Sequence, residues 1–341
     1  MVRSLLANVW DGVNEMIDDT QHENLYGSYE WKHPTQVAGV PWKNPVATAS
    51  GTFQYAAVRW FYDVSQLGAV TTKGVSPVPW EGNPGIRTAE GPSSNINAVG
   101  LQNPGVDHYL EDDLPKLKAI NATVIANVAG HCDDDYVEVV SKLNDSPADM
   151  LEINVSCPNV ANLSCLQNKE HLKKLLEGLI DFRRGQNHYR PILLKISPDL
   201  SDEQIDEMIE VLVENGLDGI VATNTTTSRQ GLLTPSDLVA EIGNGGLSGG
   251  PLTDRSLEMV RYIHKKTEGR FPIIGVGGIM TEDDAVAMLE AGASLIEVYT
   301  GFIYNGPGFA KRICKRLKEE AIRKEHAARE AKAAESPDTR N

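Results

Sequence analysis

The sequence contains little cysteine, and its few cysteines are not arranged as a metal or redox pair. Four occur in 341 residues, at Cys132, Cys157, Cys165 and Cys314. No two of them have the Cys-x-x-Cys spacing of zinc sites and thiol oxidoreductases. The first residues also show no secretory signal pattern, so we expect reduced thiols, no bound metal and a cytoplasmic location.

Positive charge and long apolar runs are also scarce. Lys and Arg number 32 against 47 Asp and Glu, which gives a net charge of −15. This balance opposes binding to nucleic acid or to anionic lipid. No apolar run approaches the ~20 residues that a membrane-spanning helix needs. We therefore expect no nucleic-acid partner and no integral membrane association.

The sequence also lacks a G-x-G-x-x-G turn after its first strand, which an open dinucleotide-binding sheet would normally carry. What it has instead is a series of short β-branched runs separated by segments long enough for a helix. The predicted strands span residues 44–50, 68–73, 123–128, 150–155, 192–196, 219–223, 272–276 and 295–299.

Eight such units favour a single (β/α)8 TIM barrel of the α/β class over an open doubly wound sheet. The spacing predicts a helix over residues 201–215, with Ser201 and Gln204 as a capping box, and another helix begun by Thr281. We divide the chain into an N-terminal extension (1–38), a barrel domain (39–314) and a charged tail (315–341) that is helical or disordered. The tail is assigned no chemistry.

Three glycine clusters follow late strands, where barrels often bind phosphate through backbone N–H groups. They lie at residues 245–249, 275–278 and 299–301. A single cluster more often marks a tight turn. Three clusters at strand ends predict a phosphate site.

Several motifs then identify a family. The sequence NVSCPN at 154–159 follows the fourth strand and places a cysteine at the catalytic rim of the barrel. Together with motifs at 49–52, 72–74, 95–103, 127–130, 194–195 and 223–225, it resembles the dihydroorotate dehydrogenases over about residues 40–315, in order. A lone cysteine after a strand is usually a buried, inert thiol, but the context of Pro158 and Asn159 favours a functional one.

The resemblance implies an FMN enzyme that oxidises dihydroorotate to orotate in pyrimidine synthesis. Cys157 would be the base that removes a proton from ring carbon 5 while a hydride leaves carbon 6 for flavin N5. A thiol needs a neighbouring positive charge or a developing hydrogen bond to act as a base near neutral pH, and Lys73 is the candidate cation. Lys195, at the end of an apolar strand, would lie by the N1–C2 carbonyl side of the flavin.

The family pattern also implies the remaining site residues. The substrate would contact Lys73, Asn97, Val99, Gly100, Leu101, Asn154, Asn159, Asn224 and Thr225. The cofactor would contact Ala49, Ser50, Gly51, Lys73, Asn127, Asn154, Lys195, Thr223, Ser248, Gly249, Gly277, Gly278, Tyr299 and Thr300.

The electron acceptor stays open at this stage. Cys157 is typical of the soluble class of the family, whereas residues 162–167 and 225–229 resemble loops of the membrane-associated, quinone-reducing class. The first 38 residues show no apolar helical pair that could bind a membrane surface, so we rank a soluble acceptor or an electron-transfer partner subunit first. We also expect the protein to be a homodimer. The alternative function is another FMN barrel, such as a dihydropyrimidine dehydrogenase or an ene reductase.

Overall fold

The computed structural model describes residues 36–52, 62–156, 169–230, 232, 234–243 and 245–335. Its centre is a closed barrel of eight parallel strands. They are β1 (Val46–Thr48), β2 (Ala69–Thr71), β3 (Val124–Val128), β4 (Met150–Asn154), β5 (Ile192–Ile196), β6 (Gly219–Ala222), β7 (Ile273–Val276) and β8 (Leu295–Val298). The predicted number of strands and the barrel are confirmed.

The strands follow one another around the barrel in chain order, and β8 closes on β1 through the pair Ile296 and Val46. This closure excludes the open sheet. Several strands are shorter than the sequence predicts, and β1 shows why. The Asn44 side chain accepts a hydrogen bond from the Val46 amide at 3.0 Å and donates one to Gln66 O at 2.9 Å. Asn44 therefore caps the start of the strand and takes no part in the hydrogen-bond ladder of the barrel.

Helices surround the barrel. Residues 106–119 are helical, with Val106–His108, the π-helical turn Tyr109–Asp113 and α1 (Leu114–Ala119). The others are α2 (Asp133–Asn144), α3 (Lys169–Arg184), α4 (Asp202–Asn215), α5 (Ser236–Ile242), α6 (Thr253–Lys266), α7 (Glu282–Glu290), α8 (Thr300–Asn305) and α9 (Phe309–Glu335), with 3-10 turns at Val64–Gln66 and Gly250–Leu252.

Two of the predicted helix starts are confirmed in atomic detail. Ser201 caps α4 through a capping box in which Ser201 and Gln204 exchange side-chain and backbone hydrogen bonds. Thr281 caps α7 in the same way with Asp284. Both satisfy amide groups that the first turn of a helix leaves without intrahelical partners.

The C-terminal helix α9 crosses the domain boundary that we drew at residue 314. The helix packs against the main hydrophobic core through the buried side chains of Phe309, Ile313 and Leu317. Glu320 is also buried, and it accepts from Arg316 and Arg323. The packed part of the helix therefore extends past the point where the charged composition begins.

The barrel interior has two layers, because alternate residues of each strand point inward. Apolar side chains fill the lower layer, above the hairpin formed by Gln36–Val37 and Val40–Pro41. On five strands the next inward-pointing residue, two positions further along the strand, is polar. They are Thr71, Asn127, Glu152, Lys195 and Glu297, and all are almost fully buried.

A small antiparallel sheet adds residues to the upper end of the barrel. Its strands are Thr88–Gly91, Ser94–Asn97 and Gly246–Gly249. The register pairs Asn97 with Gly246 and Asn95 with Ser248. The glycine cluster at residues 245–249 is therefore partly a strand, and the sheet brings Asn97 and Ser248 to one cleft.

Candidate active site

A cleft of about 920 Å³, partly open to solvent, lies at the carboxyl ends of the barrel strands. This is the end of a TIM barrel at which active sites occur. The structure brings eighteen of the predicted site residues to its wall: Ala49, Ser50, Gly51, Lys73, Asn97, Val99, Leu101, Asn154, Lys195, Thr223, Asn224, Thr225, Ser248, Gly249, Gly277, Gly278, Tyr299 and Thr300.

Four predicted residues are not seen on this wall. Cys157 and Asn159 lie outside the described residues. Gly100 adopts a positive φ of 70° in the turn before Leu101, where a Cβ would come within 2.6 Å of the Asn83 side chain. Asn127 is fully buried below the cleft and donates through Nδ2 to Glu152.

One end of the cleft is built from glycines in close contact with neighbouring loops. Gly278 has a φ of 74°, and a Cβ there would lie 2.3 Å from Thr253 Cα. Gly277 has a φ of 111°, and its Cβ would lie 2.4 Å from Ser256 Oγ. Close backbone approach of this kind at the start of a helix is the arrangement in which proteins bind anions through backbone N–H groups.

Hydroxyl groups complete the same end of the cleft. Thr300 Oγ1 donates to Ser248 Oγ at 2.8 Å, and Ser248 Oγ donates to Asn95 O at 3.1 Å. Burial raises the pKa of the Tyr299 phenol, so this group stays neutral and able to donate. The donors suit a phosphate ester.

Amide side chains converge at another part of the cleft. Asn224 Nδ2 donates to Ser156 Oγ at 2.9 Å and to Asn154 Oδ1 at 3.3 Å. Tyr136 OH donates to Asn154 O at 2.8 Å and fixes the end of β4 from behind. An asparagine amide both donates and accepts, so the group can match a ring that carries alternating N–H and C=O groups.

Asp199 holds the loop that carries Asn224 and Thr225. Its Oδ2 accepts from the Thr227 amide at 2.8 Å and from Thr227 Oγ1 at 2.6 Å, and its Oδ1 accepts from Thr226 Oγ1. Sequence reasoning did not identify this residue. Asp199 positions the loop without lining the cleft.

Lys73 lies beside the loop that follows β1. A Cβ built on Gly51 would be 3.6 Å from both Lys73 Cδ and Nζ and 3.9 Å from the Tyr299 ring. A Cβ at position 51 would therefore make only ordinary contact with the lysine. The φ of 82° at Gly51 is one that L side chains rarely adopt, so the backbone of this loop is what favours glycine here.

Below the cleft, Lys195 is buried between two carboxylates. Its Nζ lies 3.2 Å from Glu152 Oε1 and 3.6 Å from Glu297 Oε2. Burial lowers the pKa of Lys195, but attraction to both carboxylates outweighs burial and leaves that pKa raised. Burial and repulsion from Glu152 raise the pKa of Glu297 to about 8, against the smaller opposing effects of Lys195 and Thr71. The lysine is thus charged.

Sequence reasoning selected Lys195 and missed Glu152 and Glu297. The available signal was the same for all three, because each is a lone charged residue inside an apolar strand. The cleft wall also includes residues that were not predicted: Leu252, Val276, Ile279, Met280, Glu297, Val298 and Gly301.

Comparison with known proteins decides between the flavin barrels. The family model described as dihydroorotate dehydrogenase matches residues 33–321. The chain belongs to the dihydroorotate dehydrogenase family. Membership identifies it as an oxidoreductase that acts on dihydroorotate in pyrimidine biosynthesis, as the motifs predict, and the family is flavin-dependent. The alternative of a dihydropyrimidine dehydrogenase or an ene reductase gains no support.

Individual relatives of this chain are also dihydroorotate dehydrogenases. The chain is 40% identical over 299 residues to a dihydroorotate dehydrogenase (quinone) of Christiangramia forsetii, covering 84% of this chain and 85% of the relative. It is 39% identical over 273 residues to a dihydroorotate dehydrogenase B (NAD(+)) catalytic subunit of Lachnoclostridium phytofermentans, covering 79% and 88%.

A solved structure has the same fold. The DHODH of Eimeria tenella in complex with ferulenol superposes with a TM-score of 0.72 at 29% identity, covering 86% of each chain. Within the described residues of the present protein, no helix is long and apolar enough to cross a membrane.

Proposed function

We propose that this protein binds FMN in the cleft and uses Cys157 as the base in the oxidation of dihydroorotate to orotate, with the flavin as the hydride acceptor. The observation that carries the proposal is the convergence of eighteen predicted residues, from seven of the eight strand ends and the antiparallel sheet, on one wall. Residues so far apart in sequence share a surface only if the fold assembles them.

The cleft fits a flavin mononucleotide. Gly277, Gly278 and Ser248 form an anion-binding end for one phosphate, and the sequence has no dinucleotide fingerprint that would suit FAD. Lys195 lines the floor of the cleft, where a buried cation can stabilise negative charge on the ring. Bound there, FMN would supply the acceptor for the hydride that leaves carbon 6 of the substrate.

The protein residues would orient the substrate. Asn97, Asn154 and Asn224 offer amide donors and acceptors on one wall, while Lys73 offers a cation for the carboxylate. Because the hydrogen bonds from Asn224 to Asn154 and Ser156 already exist, the wall is preorganised and needs little rearrangement on binding.

Cys157 would take the proton from carbon 5. It directly follows Ser156, which Asn224 anchors at the cleft wall. The position of the thiol is a proposal that rests on this anchored neighbour and on the family motif. A positioned base of this kind is worth about 10²–10⁴ in rate.

Anaerobic reduction by dihydroorotate tests the proposal. The purified yellow protein should lose its flavin absorbance when dihydroorotate is added, and mass spectrometry of the released cofactor should give FMN. An unchanged spectrum would remove the proposed activity, and FAD in the released fraction would contradict the single-phosphate site.

We propose further that the acceptor is soluble or is a partner subunit, and that the protein is a cytoplasmic homodimer. Cys157 supports a soluble acceptor or a partner subunit, and the family resemblance supports a homodimer. The relatives include both a quinone enzyme and an NAD(+) catalytic subunit, so their names do not identify the electron acceptor of this protein. Offering fumarate, NAD, a quinone and oxygen in turn to the reduced protein identifies the acceptor, and light scattering gives the mass.

A further inference from the structure

The centre of the barrel contains more negative than positive charge if every group is ionised. Glu152 and Glu297 are both 0% exposed and Lys195 is 6% exposed. Two carboxylates against one ammonium leave a net charge of −1. An unpaired charge in such a place is costly, so buried carboxyl groups that share a site tend to keep a proton.

The two carboxyl groups have unequal hydrogen bonds. Glu152 Oε1 accepts from both Asn127 Nδ2 and Lys195 Nζ, which suits a carboxylate. Glu297 Oε1 accepts from Thr71 Oγ1 at 2.6 Å. Its Oε2 lies 3.6 Å from Lys195 Nζ, and neither this oxygen nor Glu152 Oε2 has a hydrogen-bond partner among the described residues, so the difference lies in the donors to the two Oε1 atoms.

The strands that flank Glu297 add no compensating charge. β7 places Val276 opposite it and β1 places Ala47 there. Among the described residues, the charged groups that act on Glu297 are Lys195 and Glu152. One of them attracts its carboxylate and the other repels it.

We propose that Glu297 is a neutral carboxylic acid at neutral pH, so that Lys195 and Glu152 form one balanced ion pair beneath the cleft. Geometry carries the assignment, because Lys195 is closer to Glu152 and Glu152 has the additional donor. The raised pKa of Glu297, caused by burial and then by the Glu152 charge, agrees with it.

The consequence for the cofactor rests on the proposed function. Glu297 and Lys195 both line the cleft. If Glu297 lost its proton, an uncompensated negative charge would stand beside the place where a reduced flavin ring carries negative charge. Glu297 is then a positioning residue that sets the charge of the cofactor site, and its ionisation should lower the reduction potential.

Infrared spectroscopy tests the protonation state without reference to activity. In the full-length protein as purified, isotope-labelled glutamate carboxyls should show a protonated C=O band at neutral pH. The band should disappear in Glu297→Gln and shrink as pH is raised. Its absence in the wild type, with the protein folded by circular dichroism, would overturn the proposal whatever the activity.

A matched pair of variants tells which carboxyl group holds the proton. Glu297→Gln replaces a neutral acid by a neutral amide of similar size, so flavin content should stay close to wild type and thermal stability at neutral pH should be no lower than in wild type. Glu152→Gln removes the ionised partner and forces Glu297 to ionise, so both should fall. The reverse ranking would assign the proton to Glu152 and overturn the proposal.

The reduction potential of the bound flavin tests the consequence. Where Glu297 gains a proton on flavin reduction, the wild type should show an extra tenfold change in the reduction equilibrium per pH unit, about 30 mV for a two-electron couple. Glu297→Gln should lack this extra slope and have the higher potential at alkaline pH. Parallel curves would show that Glu297 does not act on the cofactor.

Discussion

Asn224 at the end of β6 donates to Ser156 at the end of β4 across 2.9 Å. Ser156 directly precedes Cys157, so this hydrogen bond ties the proposed substrate amide to the start of the loop that carries the proposed base. The two strands are not neighbours in the barrel, because β5 lies between them. We therefore expect the proposed substrate contacts of Asn224 to be coupled to the position of the proposed base.

Replacing Asn224 with Ala should affect both substrate binding and the rate of flavin reduction. The variant loses the donor to Ser156 and Asn154 and leaves two buried oxygens with one partner fewer, which costs about 1–3 kcal/mol. We expect the KM for dihydroorotate to rise and the rate of flavin reduction to fall, each by about tenfold or more. Stopped-flow reduction at several substrate concentrations separates the two effects.

Ser156→Ala is the matched control for this coupling. It removes only the hydroxyl at the loop, so the rate of flavin reduction should fall more than substrate affinity does. If Ser156→Ala had no effect and Asn224→Ala changed affinity alone, the hydrogen bond would be irrelevant to the base.

Replacing Cys157 with Ala should separate binding from chemistry. Flavin content and orotate affinity should be retained, while flavin reduction slows by about 10²–10⁴, the usual contribution of a general base. Cys157→Ser should recover little at neutral pH, because an unassisted hydroxyl is a weaker base than a thiolate, and its rate should rise toward alkaline pH. Wild-type rates in Cys157→Ala would make the cysteine structural.

The fold could be predicted from the sequence because its signals are local. Alternating β-branched runs and helix caps such as Ser201 reveal elements without knowledge of tertiary contacts. Strand ends are less predictable, since Asn44 reads as part of an extended run and only its contact with Gln66 shows that it caps the strand.

The site could be predicted only in part, for a different reason. Motif residues such as Lys195 and Asn224 have a recognisable context, whereas Asp199 acts through a loop 28 residues away in sequence. Glu297 matters because Lys195 and Glu152 lie beside it, and these three residues come from three different strands. No local pattern encodes that neighbourhood.

Gly278→Ala should impair cofactor binding. A Cβ at this position would lie 2.3 Å from Thr253 Cα, and the φ of 74° is unfavourable for alanine. The loop must shift away from the start of α6, so we expect most of the flavin to be lost on purification. Absorbance ratio and equilibrium titration with FMN measure the loss.

Gly178→Ala is the matched control. Gly178 lies within α3 with ordinary contact to Val137 at 3.6 Å. Alanine favours a helix over glycine by about 0.5–1 kcal/mol, so this variant should keep its flavin and unfold at a slightly higher temperature. Equal flavin loss in both variants would mean that general destabilisation, and not the cleft, explains the first result.

Stability should depend on pH through Glu297. Its pKa is raised by burial from the ordinary value of 4.5 to about 8 in the folded protein. Between these values the folded state holds a proton that the unfolded state has released, so the free energy of unfolding falls as pH rises, by at most about 1.4 kcal/mol per pH unit. This contribution is fully present below 4.5 and is lost as pH passes through about 8.

Glu297→Gln should remove that dependence. Urea unfolding of wild type and variant at several pH values should show a difference in the free energy of unfolding that grows in favour of the variant from about pH 5 upward. Above about pH 8 the difference should level off, because the wild-type carboxyl is then ionised in both states. A difference that stays constant across the range would mean that Glu297 has the same protonation state folded and unfolded, which would contradict a neutral acid in the barrel.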